Sequence, residues 1–107
     1  MISKELLSEV LGIEVTHVTQ KPELGNILEV QYTNGLKQNY IFEANIYELM
    51  HLMKKWAYEQ RWLVESSVTL TTCRQLGKDT QHYFDEDSEY DSVVRACQWI
   101  YNKRCSN

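Results

Sequence analysis

The densest run of chemically capable side chains is DEDSEYD, residues 85–91. Asp79, Asp85, Glu86, Asp87, Glu89 and Asp91 all fall within residues 79–91, a window without lysine or arginine. Three chemistries suit such a run. Asp85, Asp87 and Glu89 alternate like the ligands of a calcium loop. An EF-hand loop starting at Asp85 needs glycine at its sixth place and glutamate at its twelfth. Those places hold Tyr90 and Ala96, so no metal is assigned. Acids at the start of a helix also satisfy its exposed amides and dipole, contributing about 0.3–1 kcal/mol each. Thirdly, clustered carboxylates make a negative surface that docks on a basic groove, speeds association and sets partner choice.

Other reactive side chains give less. Cys73, Cys97 and Cys105 are odd in number and lack CxxC spacing, which suits reduced thiols in a cytoplasm better than a disulfide framework. Cys97 falls in a helical apolar stripe and reads as a small core residue. Cys105 reads as a solvent-reachable thiol with no base placed to activate it. His17, His51 and His82 show no HExxH spacing, and GxSxG, GxGxxG and GxxxxGK[ST] are missing. No catalytic residue, metal ligand or cofactor is therefore assigned.

The aromatic residues are more informative. At 100° per residue, Trp99 points away from Tyr90 and Cys97 and shares a side with Ser92, Arg95 and Lys103. Tyr47, His51 and Tyr58 flank the apolar stripe of the preceding helix in the same way. Such residues form a second buried layer, partly covered by the stems of Arg95 and Lys103, or they anchor a partner or a second subunit. The candidate partner-binding set is Asp85, Glu86, Asp87, Glu89, Arg95, Trp99 and Tyr58.

These side chains need elements to position them. Residues 3–11 read as a short helix, capped by Ser3 and ended by Gly12. IEVTHVTQ, 13–20, is β-branched and reads as a strand. KPELGN, 21–26, is a turn, with Pro22 fixing φ and Gly25 free to take a positive one. Asn34-Gly35 between two alternating runs predicts a type I′ hairpin with strands 27–33 and 36–42. Asn45 opens a helix of about four turns, with Glu48 three places on as in a capping box. Its stripe is Ile46, Leu49, Met50, Met53, Trp56 and Ala57, and it ends near Gln60. From Trp62 the pattern predicts one strand, with Val64, Ser66, Val68 and Leu70 alternating with Glu65, Ser67, Thr69 and Thr71 and β-branched density rising through VTLTTC, then LGKD at 76–79 a reversal and residues 80–84 a returning strand. Ser88 caps the last helix, with Asp91 at its third position, and Lys103 and Arg104 suit its end.

The expected order is αβββαββα: an α+β domain spanning residues 1–107, with a mainly antiparallel sheet of about five strands and two longer helices on one face. One core would gather Leu28, Val30, Tyr40, Phe42, Met53, Trp56, Val68, Leu70, Val93, Cys97 and Ile100. The 107 residues, 43% hydrophobic and 24% charged, suit a soluble globular chain. No apolar run approaches the roughly 18 residues of a membrane span, and MISKELLSEV has no secretory h-region. The net charge is −4, and outside residues 79–91 there are 11 bases against 9 acids. That balance disfavours direct nucleic-acid binding.

IYELMHLMKKWAYEQRW at 46–62 and EYDSVVRACQWIYNK at 89–103, with a short β-hairpin between them, resemble small proteins of tailed phages and prophages. The shared features are a YEL…KKWA helix and an ACxWI helix. At Gln60-Arg61-Trp62 the group's pattern has a glycine-aromatic step, and here arginine precedes the tryptophan. The resemblance implies an accessory protein acting in a bacterial host cytoplasm by binding and modulating other proteins.

The leading expectation is accordingly a non-catalytic protein-binding module acting through an acidic and aromatic surface, with a homodimer through Trp99 and Arg95 as a candidate assembly. A second reading is an acidic mimic of nucleic acid that inhibits a host defence complex, as anti-CRISPR-like proteins do. It requires the acids of 79–91 to run continuously into Glu65, Glu59 or Glu48. A third is a small enzyme, which requires a concave pocket with convergent polar groups.

Overall fold

The computed structural model describes residues 2–21 and 25–106. The chain runs α1 (Lys4–Leu11), β1 (Glu14–Gln20), β2 (Ile27–Thr33), β3 (Asn39–Asn45), α2 (Ile46–Glu59), β4 (Trp62–Ser67), β5 (Leu70–Gln75), β6 (Gln81–Asp85) and α3 (Glu89–Cys105). The class is α+β, as expected, but the described residues hold six strands in two antiparallel sheets, β1-β2-β3 and β4-β5-β6. Of the predicted 21–26 turn, Pro22 lies outside the described residues, while Gly25 takes φ +70°.

The helices follow their caps. The Ser3 hydroxyl accepts from the Leu6 N–H at 3.1 Å, and Gly12 ends α1 at φ +70°. Asn45 accepts from the Tyr47 N–H at 2.8 Å, and Ser88 from the Asp91 N–H at 3.1 Å. Leu49, Met50, Met53, Trp56 and Ala57 are the buried stripe of α2. α3 touches all three strands of the second sheet and also packs on α2, while α1 covers β1. Buried residues of both sheets and all three helices form one cluster.

Two strand boundaries differ from the sequence reading, each for a local reason. In the first hairpin the loop is 34–38, so β3 starts three residues later than predicted. Asn34 uses its side chain, Oδ1 accepting from the N–H groups of Leu36 (2.9 Å) and Gln38 (3.1 Å). The positive φ falls on Lys37, at +62°.

The second difference is larger. The expected single strand from Trp62 is a hairpin of β4 and β5, reversing at Val68-Thr69. Val68 takes φ +49°, a conformation that costs a β-branched residue about 1–2 kcal/mol. The reversal resets the alternation, because Val64 pairs with Cys73 and Ser66 with Thr71. Thr71 and Cys73 therefore face the core, and Val68 and Leu70, predicted to be buried, are 82% and 38% exposed. Tyr40 is also less buried than expected. It lies towards the far end of the first hairpin, stacked on Tyr32 with ring centroids 5.3 Å apart. At Arg61 the backbone takes φ +72°, which a glycine would adopt without strain.

One polar cluster ties all three helices. Arg104 Nη1 donates to Glu9 Oε1 at 2.7 Å and to Gln60 Oε1 at 3.0 Å, and Nη2 donates to Glu9 Oε2. The Trp56 indole N–H donates to Glu9 Oε1 at 3.4 Å. The hydrogen bond from Arg104 is the main force holding the Glu9 carboxyl below its usual range. A depressed carboxyl contributes stability above its unfolded pKa and loses it as pH falls through the folded value. The pair is partly exposed, so Glu9→Gln should cost no more than about 1 kcal/mol at neutral pH. Urea titrations should show that gap closing as pH drops below about 4. A gap of the same size in acid would mean that the charge of Glu9 contributes nothing.

Candidate functional site

The acidic run links β6 to α3, and the two elements send its carboxylates in different directions. Asp85, the last residue of β6, pairs with Leu70 and is exposed. Glu89 turns the other way, its Oε2 accepting from the Ser66 hydroxyl at 2.6 Å, which fastens the β4–β5 hairpin to the start of α3. Glu86, Asp87 and Asp91 line a groove of about 590 Å³ beside α3. Its other walls come from Arg95, Gln98 and Asn102 on the helix and from the rings of Phe84 and Trp99.

Helical spacing builds this wall. Asp91, Arg95, Gln98 and Asn102 recur at intervals of four, three and four, so they form one row along α3. Gln98 Nε2 donates to Asn102 Oδ1 at 3.2 Å, and Gln98 Oε1 accepts from the Ser3 N–H at 3.3 Å. Arg95 approaches Glu86 at 3.7 Å, and its guanidinium sits 5.6 Å from the centre of the Phe84 ring. Three carboxylates face a single guanidinium, so the groove keeps negative charge.

Of the two placements that its helical angle leaves open, a second buried layer or an anchor, Trp99 packs partly buried among other rings. Its ring meets Trp62 edge-on at 5.2 Å, His82 at 4.6 Å and Phe84 at 5.9 Å, and the Lys103 ammonium lies 5.4 Å from its centre. The physical reason is that α3 is buried on two sides. Cys97 and Ile100 serve the main core, while Ser92 and Ala96, both fully buried, let the helix approach the second sheet closely. The Ser92 and Thr71 hydroxyls lie 2.6 Å apart across that contact. The small residues at 92 and 96 were the available signal for a sheet on this side. Trp99 is thus partly buried, and its ring lines the groove beside Phe84.

Of the predicted residues, the groove therefore gathers Glu86, Asp87, Arg95 and Trp99. It leaves out Asp85, Glu89 and Tyr58. Tyr58 stands on the outer side of α2, 60% exposed, as does Tyr47 at 58%. Sequence reasoning missed Phe84, Gln98 and Asn102, whose types carry no signal until β6 and α3 are side by side.

Cys73 and Cys97 are buried and Cys105 is exposed. Burial pushes the Cys73 thiol up to about 11 and the Cys97 thiol up to about 12. Cys97 Sγ lies 3.8 Å from the Met53 carbonyl oxygen, to which it donates. Among the described residues no three His, Cys, Asp or Glu side chains gather as a metal site. No helix among them is long and apolar enough to cross a membrane. Compared with protein-family models, curated proteins and solved structures, the chain matches none.

Proposed function

We propose that the chain is a non-catalytic protein-binding module, an accessory protein of phage or prophage type, whose groove beside α3 receives a basic side chain of its partner. The observation that carries this reading is the groove itself: Glu86, Asp87 and Asp91 beside the Phe84 and Trp99 rings. Carboxylates supply charge for a guanidinium or ammonium, and aromatic rings supply a surface on which it stacks. The ring contacts among Trp62, His82, Phe84 and Trp99 hold that surface in place before a partner arrives, which lowers the ordering cost of binding. The phage assignment rests on the resemblance of residues 46–62 and 89–103. The divergence of Asp85, Glu86 and Glu89 lends no support to a continuous phosphate-like array.

The test compares capture from a bacterial lysate by the wild type and by the Asp87→Asn, Asp91→Asn double variant, read by quantitative mass spectrometry. A partner docked in the groove is captured by the wild type, released by added salt and lost with the double variant. Ser88→Ala is the control, because it costs the helix about 1 kcal/mol without changing groove charge. A captured set that is indifferent to salt and to the double variant would rule the groove out as the docking surface.

A further inference from the structure

The edge of the first sheet carries an unused row of hydrogen-bonding groups, and its parity can be read from the hairpin. The Asn34 N–H donates to the Gln38 carbonyl at one end of the β2–β3 ladder, and the Ile46 N–H donates to the Asn26 carbonyl at the other. Between those ends the register is unbroken over seven pairs. Hydrogen-bonded and non-hydrogen-bonded pairs alternate in an antiparallel ladder. Tyr40, Phe42 and Ala44 therefore use their peptide groups on β2, and Asn39, Ile41 and Glu43 turn theirs outward. Among the described residues, sheet order leaves that side of β3 without a neighbouring strand.

Natural edges are protected by bulges, prolines, lysines or short length. The opposite edge, β1, has a bulge between Val15 and His17. The β3 segment, NYIFEAN, has no bulge, proline or lysine, and its Ile41 is 62% exposed.

We infer that β3 pairs antiparallel with β3 of a second copy of this chain, on a two-fold axis through Ile41, joining the two three-stranded sheets into one of six strands. The sequence is self-complementary in that register. Ile41 faces Ile41 of the second copy, both with outward peptide groups, so each N–H meets the other's carbonyl. Asn39 faces Glu43 at both ends, which sets a carboxamide donor opposite a carboxylate. Tyr40 and Phe42 meet as non-hydrogen-bonded pairs, where side chains approach most closely. They would extend the ring cluster that Tyr32 already makes with Tyr40 and Phe42. An axis through Glu43 would oppose two like charges, and one through Phe42 would set Ile41 against Glu43. This self-complementarity favours a second copy over a foreign strand.

Sedimentation velocity on the full chain across a micromolar to sub-millimolar series tests it. The wild type is expected at twice the chain mass. Ile41→Pro removes the outward N–H at the axis and spares the β2 ladder, since proline is tolerated where an edge N–H faces solvent. Ile41→Lys leaves the backbone intact, places two like charges on the axis and keeps the test valid if the proline variant misfolds. Both should run as monomers with an unchanged far-UV circular dichroism spectrum, the dissociation constant rising at least about tenfold. In a Cys105→Ser background, Ile41→Cys should form an intermolecular disulfide under mild oxidant and Asn39→Cys should not. The expected Cα separation of about 5.5 Å at a hydrogen-bonded pair falls within disulfide range. A wild type that stays monomeric throughout, or an Ile41→Lys variant that dimerises as the wild type does, would overturn the inference. Cross-linking at Asn39 but not Ile41 would overturn the register.

Discussion

Trp56→Ala is expected to cost about 3–5 kcal/mol, the range for removing a large aromatic side chain from a core. Against a total of about 5–15 kcal/mol for a domain, that is the severest single truncation proposed for this chain. Trp56 is 5% exposed in the cluster that joins α2 to α3 and both sheets. Its loss empties the volume of an indole and removes the N–H that donates to Glu9. The Arg104 guanidinium, 6.0 Å from the ring centre, also loses its aromatic neighbour. Trp56→Phe separates these contributions. It refills most of the volume and gives up the hydrogen bond, so it should recover more than half of the loss. Urea denaturation with a far-UV circular dichroism readout measures both variants. A cost below about 1 kcal/mol for the alanine variant would mean that the ring sits on a surface, because exposed substitutions rarely exceed that.

The helices of this chain were legible in its sequence, because their signals are local chemistry. Ser3, Asn45 and Ser88 cap where their side chains reach the first free amides, and the period of α2 names its buried face. β2 also spans 27–33 as its alternation predicts. The hairpin at Val68-Thr69 was not legible. Neither residue has turn chemistry, and a valine at φ +49° is held there by the pairs on either side of it. The reversal inverts the inward and outward positions beyond it, so simple alternation puts Val68 and Leu70 in the core where the structure puts Thr71 and Cys73. The Asn34-Gly35 signal located its turn, but the Asn34 side chain supplied the bonds and Lys37 the positive φ, so the register of β3 moved. The groove shows the same limit at the level of the site. Sequence marks Glu86, Asp87 and Asp91 as acids, but only the packing of α3 along β6 separates them from Asp85 and Glu89.

That packing makes the second large prediction. Trp99→Ala should destabilise the chain by about 2–4 kcal/mol, somewhat less than full core truncation because the ring is only partly buried. Three ring contacts, with Trp62, His82 and Phe84, disappear together, and aromatic pairs contribute about 0.5–1.5 kcal/mol beyond their buried area. Trp99→Phe keeps a ring against Trp62 and should cost roughly half as much. The near-UV circular dichroism of the tryptophans should weaken in the alanine variant at temperatures where the far-UV signal is intact, since Trp62 and Trp99 meet edge-on. The opposite result has a clear meaning. An anchor held out for a partner contributes to binding and not to folding, so a change in stability within about 0.5 kcal/mol would return Trp99 to that role. A large loss leaves the docking function to the carboxylates of the groove. Trp99 then acts as the wall that packs against Trp62, His82 and Phe84, and binding should be measured on Asp87 and Asp91 variants that keep this wall.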